Sequence, residues 1–229
     1  MSDRDKISGI SSEVSDGLDR IAASANRRGH ATWFHVPREF QGAMERAYVE
    51  EWAKVVNERF KWNVREVQKN SDTYPDCVAQ FDGVNKQPSR MGIEFTELVD
   101  RGAIDAHQQL RRVYQTREIF RIPTPDLVKL HERTSPPWSF QAFEKHLKER
   151  VLEKNLRSRD SSFDLQILLI ATDEPALDDV TVDAYVRQLQ FLPVSNFDKI
   201  FLMLSYRPQL GAEGRYPVFE IPMCSVERR

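Results

Sequence analysis

The chain has 229 residues, 40% of them hydrophobic, with 33 Lys+Arg against 35 Asp+Glu. That length can bury a substantial core, and the balanced charge excludes the strongly basic profile that announces nucleic acid from composition alone, while leaving room for a local basic groove. Two cysteines, Cys77 and Cys224, offer neither zinc-ligand spacing nor a disulfide framework, so a reduced, cytoplasmic setting is expected.

Residues 1–36 are weakly patterned and read as a loosely attached N-terminal arm; Met1 to Lys6 leads into a Ser-rich stretch, so no signal peptide is expected. Residues 37–229 read as one α/β domain. A helix is expected from Pro37, with Met44, Ala47, Tyr48, Glu51, Trp52 and Val55 on one stripe. Asn63 to Gln68 reads as a strand, and Cys77–Asp82 with Met91–Leu98 as a hairpin. A second helix spans about Ala103 to Ile119, with Ile104, His107, Leu110, Val113 and Tyr114 on its inward side. The Pro-rich stretch from Arg121 to Trp138 reads as an excursion.

A third helix is marked by Phe140, Phe143, Leu147 and Val151. Its Lys145, Lys148, Arg150, Lys154, Arg157 and Arg159 alternate with Glu144, Glu149 and Glu153, a pattern that favours exposed salt bridges over a nucleic-acid groove. Phe163 to Ala171 and Lys199 to Tyr206 are near-continuous apolar strands separated by a helix over Thr181 to Leu192, as buried parallel strands are. Tyr216 to Ile221 suits an edge strand. The apolar runs are too short to span a bilayer, so no membrane partner is expected. Oligomeric state is left open.

Chemistry concentrates on the hairpin. Asp76 enters its first strand, and Glu94 lies inside the second with Thr96 on the same face and Glu97 on the other. A carboxylate inside a half-buried strand is costly unless a cation, proton or hydrogen-bond donor offsets it. The two carboxylates with the Phe95 carbonyl make an oxygen-rich set suited to Mg²⁺ or Mn²⁺. Asp173 and Glu174 follow a predicted parallel strand, where ligands often bind, yet read more simply as an acidic loop. The histidines are scattered, and no Gly-x-Ser-x-Gly elbow, P-loop or dinucleotide fingerprint is present.

Pro75-Asp76 and then Glu94-Phe95-Thr96 after 17 intervening residues, set in the order helix, strand, hairpin, helix, strand, resembles the PD-(D/E)XK nuclease superfamily. It is similar in particular to bacterial members with Glu-x-Thr-Glu in place of Glu-x-Lys. The resemblance implies a restriction-endonuclease-like αβββαβ core with a mixed central sheet flanked by helices. It further implies metal ligation by Asp76, Glu94 and the Phe95 backbone, with Glu51 of the first helix as a third carboxylate. Thr96 stands where the superfamily places a lysine. Threonine carries no charge, so the cation is expected from another element, with Lys69, Arg111 and Arg112 as the candidates, also for nucleic-acid contact. Gln109 and Tyr114 are five apart and fall on different helix faces, so an exonuclease-type Gln/Tyr pair is not carried over. The expected function is a metal-dependent nuclease, with DNA ahead of RNA as substrate. The alternative is a catalytically inactive member that binds nucleic acid or a protein.

Overall fold

The computed structural model describes residues 38–70, 74–82, 87–116, 129, 138–156, 160–174, 176–190, 192–194, 196–205 and 216–225. The expected N-terminal arm lies outside the described residues. The described chain runs α1 (Arg38–Phe60), β1 (Arg65–Lys69), β2 (Cys77–Asp82), β3 (Pro88–Glu97), α2 (Arg101–Thr116), α3 (Phe140–Asn155), β4 (Leu165–Thr172), α4 (Asp179–Gln188), β5 (Leu192–Val194), β6 (Lys199–Leu204), β7 (Val218–Glu220) and β8 (Met223–Ser225).

Six strands form a mixed sheet in the order β1-β2-β3-β4-β6-β7, and β5 pairs with β8 separately. Strands β1, β2 and β3 are antiparallel neighbours; β3, β4 and β6 run parallel; β7 returns antiparallel along β6 at the sheet's edge. The sequence dictates this arrangement. β2 and β3 are joined by a short connection that only an antiparallel pair can use, whereas the apolar β4 and β6 are reached through crossovers and are buried on both faces.

Alternation along the strands divides the core in two. On one face, Cys77, Ala79, Met91, Ile93, Phe95, Ile167, Leu169, Phe201 and Met203 pack with Val49, Trp52, Ala53 and Val56 of α1. Trp52, Phe60 and Trp62 surround the Phe201 ring there, with centroids 5.4, 6.1 and 5.7 Å away. On the other face, Leu168, Ile170, Ile200 and Leu202 pack with Phe143, Leu147 and Val151 of α3 and Val182 of α4.

Two expectations are revised. The buried stripe of α1 is Val49, Trp52, Ala53 and Val56, one step round the helix from the expected one, so Ala47 is exposed and Glu51 only half-buried. The helix expected over Thr181 to Leu192 begins earlier, where the Asp178 carboxylate caps it by accepting the Thr181 N–H at 2.7 Å, and ends at Gln188. Leu192 instead enters β5, as suits the residue before Pro193. No described helix is long and apolar enough to cross a membrane.

Candidate functional site

Register sets the two acidic positions of the hairpin opposite each other. Cys77 faces Ile93 across the antiparallel pair, which sets Asp76 opposite Glu94 at the start of β2. Asp76 Oδ2 accepts the Phe95 N–H at 2.8 Å, so the aspartate is held against β3 by a charge-assisted bond. Pro75, after a cis Tyr74–Pro75 peptide, folds back over Gly92. A Cβ at Gly92 would lie 3.0 Å from Pro75 Cγ and 3.1 Å from the Phe163 ring, which is why this position of β3 takes a glycine.

Glu94 is paired in β4 with Leu168, and Thr96 with Ile170, both on the α3 face of the sheet. The Glu94 side chain is fully buried, and its Oε1 meets Lys154 Nζ at 2.6 Å. Lys154 is itself only 17% exposed. It lies three residues after Val151 and therefore continues the buried stripe Phe143, Leu147, Val151. The expected salt-bridged face of α3 does form elsewhere: Lys148 pairs with Glu144 at 2.7 Å, Arg150 with Glu153 at 2.9 Å, and Lys145 with Glu149 at 3.9 Å. Lys154 is the exception to that pattern. Arg157 and Arg159 lie outside the described residues.

The other expected participants do not gather here. Glu51 belongs to α1, which covers the opposite face of the sheet, and its carboxylate accepts a 2.6 Å bond from Lys54 on its own helix. Lys69 is paired with Cys77, and its side chain lies across Gly42 of α1, again on the opposite face. Arg112 is exposed on α2, and the side chains of His107, Arg111 and Tyr114 lie outside the described residues. Thr96 is half-buried beside Glu94's face of the sheet, as expected. Glu174 is buried and accepts the Asp100 N–H at 2.7 Å, while Asp100 in turn caps α2 through Gly102 N; this acidic loop fastens one element to another.

Cys77 is a buried thiol on the α1 side of β2. Burial, followed by the negative charge of Asp76, pushes it up to about 12, so it is no nucleophile at neutral pH. Farther along the β1–β2–β3 strands, a groove of about 300 Å³ is lined by Glu66, Gln68, Val78, Gln80, Ser89 and Arg90. Gln80 donates to Glu66 at 2.6 Å, and the Arg90 guanidinium stacks 4.9 Å above the Phe163 ring.

Among the described residues, no group of three or more His, Cys, Asp or Glu gathers as a metal site. In chemical kind, Asp76 and Glu94 are the oxygen donors that Mg²⁺ takes, commonly one or two carboxylates with water and substrate phosphate completing the shell. The site is thus a mixed-sheet hairpin with paired carboxylates and one helix-borne ammonium. No protein-family model matches the chain, and neither a curated protein nor a solved structure matches it.

Proposed function

We propose that the chain is a divergent metal-dependent nuclease that hydrolyses phosphodiester bonds, with DNA as its first candidate substrate. The observation that carries this reading is the register that sets Asp76 opposite Glu94, with the Asp76 carboxylate bonded to the N–H of the next residue, Phe95. Asp76, Glu94 and the Phe95 carbonyl are the groups that would hold Mg²⁺ or Mn²⁺. Such an ion, when bound, lowers the pKa of water and stabilises charge on a phosphoryl oxygen.

The protein's own contribution is orientation. The Asp76–Phe95 bond fixes one carboxylate against the strand that carries the other, and an ion bound at this site would draw oxygen from each. In the overall reaction a water oxygen adds to phosphorus in line, the bond to the leaving sugar oxygen breaks, and the proton from water reaches that oxygen through solvent.

The test is cleavage of labelled single- and double-stranded DNA and RNA in Mg²⁺ or Mn²⁺. Asp76→Ala and Glu94→Ala should each abolish cutting while leaving the circular dichroism spectrum unchanged. Cutting that survives both substitutions rules the reading out.

A non-catalytic binding module of similar architecture is the second reading, favoured by one observation: Glu94 is already engaged by the Lys154 ammonium. A protein that shows no thermal shift in Mn²⁺ and no cleavage, yet retains nucleic-acid or protein binding, would support it.

A further inference from the structure

We infer that Lys154 is the positive charge beside Glu94, delivered by α3 to the face of the sheet on which β3 places Thr96 next along the strand. The inference rests on reading Asp76 and Glu94 as the ligating pair. A phosphodiester approaching two carboxylates meets repulsion from both, and a fixed cation beside them opposes that repulsion where charge develops. Lys154 Nζ lies 2.6 Å from Glu94 Oε1 and supplies a cation to that carboxylate.

Three features separate Lys154 from an ordinary structural lysine. Its helix neighbours Lys145, Lys148 and Arg150 each pair with a glutamate of α3, whereas Lys154 leaves the helix to reach a strand residue 60 positions earlier. It occupies an inward position that continues an apolar stripe, where a hydrophobic residue would pack without the desolvation penalty of an ion pair. Its flexible four-carbon stem and 17% exposure leave the ammonium able to turn from Glu94 toward a bound anion. Lys154 therefore holds Glu94 in the ligand-free protein and contacts the phosphodiester in the loaded one.

This arrangement makes the ammonium and a divalent cation competitors for Glu94, which gives a readout apart from cleavage. The proteins to compare are wild type, Lys154→Gln, Lys154→Met and the double variant Thr96→Lys/Lys154→Met. Each is titrated with Mn²⁺ while the melting temperature is followed, and each is assayed in single turnover on labelled DNA. Both single variants should melt lower than wild type without metal, yet gain a larger Mn²⁺-induced rise, because the Lys154 ammonium no longer competes for Glu94. Their cleavage should fall by roughly 10²–10³-fold, as on removal of one charge-stabilising donor. The double variant should recover much of that loss, because Thr96 lies on Glu94's face of β3.

Cleavage by Lys154→Gln within about threefold of wild type would overturn the inference. So would loss of the Mn²⁺ response together with cleavage, which marks Lys154 as structural. Lys154→Gln keeps a hydrogen-bond donor and so serves if Lys154→Met does not fold. A wild type with neither Mn²⁺ response nor cleavage would instead defeat the nuclease reading and take this inference with it.

Discussion

Breaking the Glu94–Lys154 pair should destabilise the protein unequally according to which partner is removed. The Glu94 side chain is fully buried and Lys154 is 17% exposed. Lys154→Met leaves the buried Glu94 carboxylate without its ammonium, and breaking a buried ion pair from one side costs about 3–5 kcal/mol. The partial exposure of Lys154 puts the expected loss near the lower end, about 3 kcal/mol. With a urea m-value of about 2 kcal/mol/M, the midpoint should fall by roughly 1.5 M. Glu94→Leu is expected to cost less, about 1 kcal/mol, because the lysine left behind can extend its stem to solvent. The pair replaced together, Glu94→Leu/Lys154→Met, should lie close to wild type, since apolar substitution of a buried ion pair is often neutral. Urea unfolding of the four proteins, followed by tryptophan fluorescence, yields the coupling free energy directly. A Lys154→Met loss below about 1 kcal/mol, or a double variant as unstable as the sum of the singles, would refute the claim that the ammonium offsets the Glu94 charge.

Two further outcomes follow from the same region. Gly92→Ala should cost about 1–3 kcal/mol, because its methyl would press on Pro75 and the Phe163 ring at 3.0–3.1 Å; a thermal unfolding midpoint equal to wild type would show that this contact yields freely. The Cys77 thiol keeps its proton in the folded protein until about pH 12, whereas the unfolded chain ionises near the ordinary value of 9.0. Its folded pKa is raised, so its contribution to stability is complete below pH 9.0 and is lost as pH climbs from there toward about 12. In a Cys224→Ser background, iodoacetamide at pH 8.5 should therefore label the native protein only through unfolding; rapid labelling without urea would contradict the burial.

The hairpin was legible because its information is local. In Cys77–Asp82 and Met91–Leu98 apolar residues recur with a period of two, and a short connection forces an antiparallel pair. The register that sets Asp76 opposite Glu94 depends instead on β3 beginning at Pro88, inside the stretch read as the connection. The buried β4 and β6 were equally plain, because uninterrupted apolar runs have few other uses. Position on a helix was harder to read. Glu51 borders the apolar stripe of α1, and a rotation of one step decides whether it faces core or solvent; the large rings of Trp52, Phe60 and Trp62 around Phe201 set that rotation, and their meeting is tertiary. Lys154 was hidden by its neighbours. Alternating Lys and Glu on α3 reads as a solvated face, and most of it is one. The available signal was the spacing of Phe143, Leu147 and Val151, which extends by three residues onto Lys154 and would have marked that lysine as inward-facing.

That same stripe makes the length of α3 a calibrated quantity. Each residue of an α-helix advances about 1.5 Å and turns about 100°. One residue inserted or deleted between Val151 and Lys154 would leave the apolar anchors seated while swinging the ammonium by about 100°, away from Glu94. The helix would still pack against Leu168 and Ile170, and the sheet would keep its order. In this segment, shape alone tolerates a slip that charge does not, so the spacing from Val151 to Lys154 works as a ruler measuring the distance from core to site.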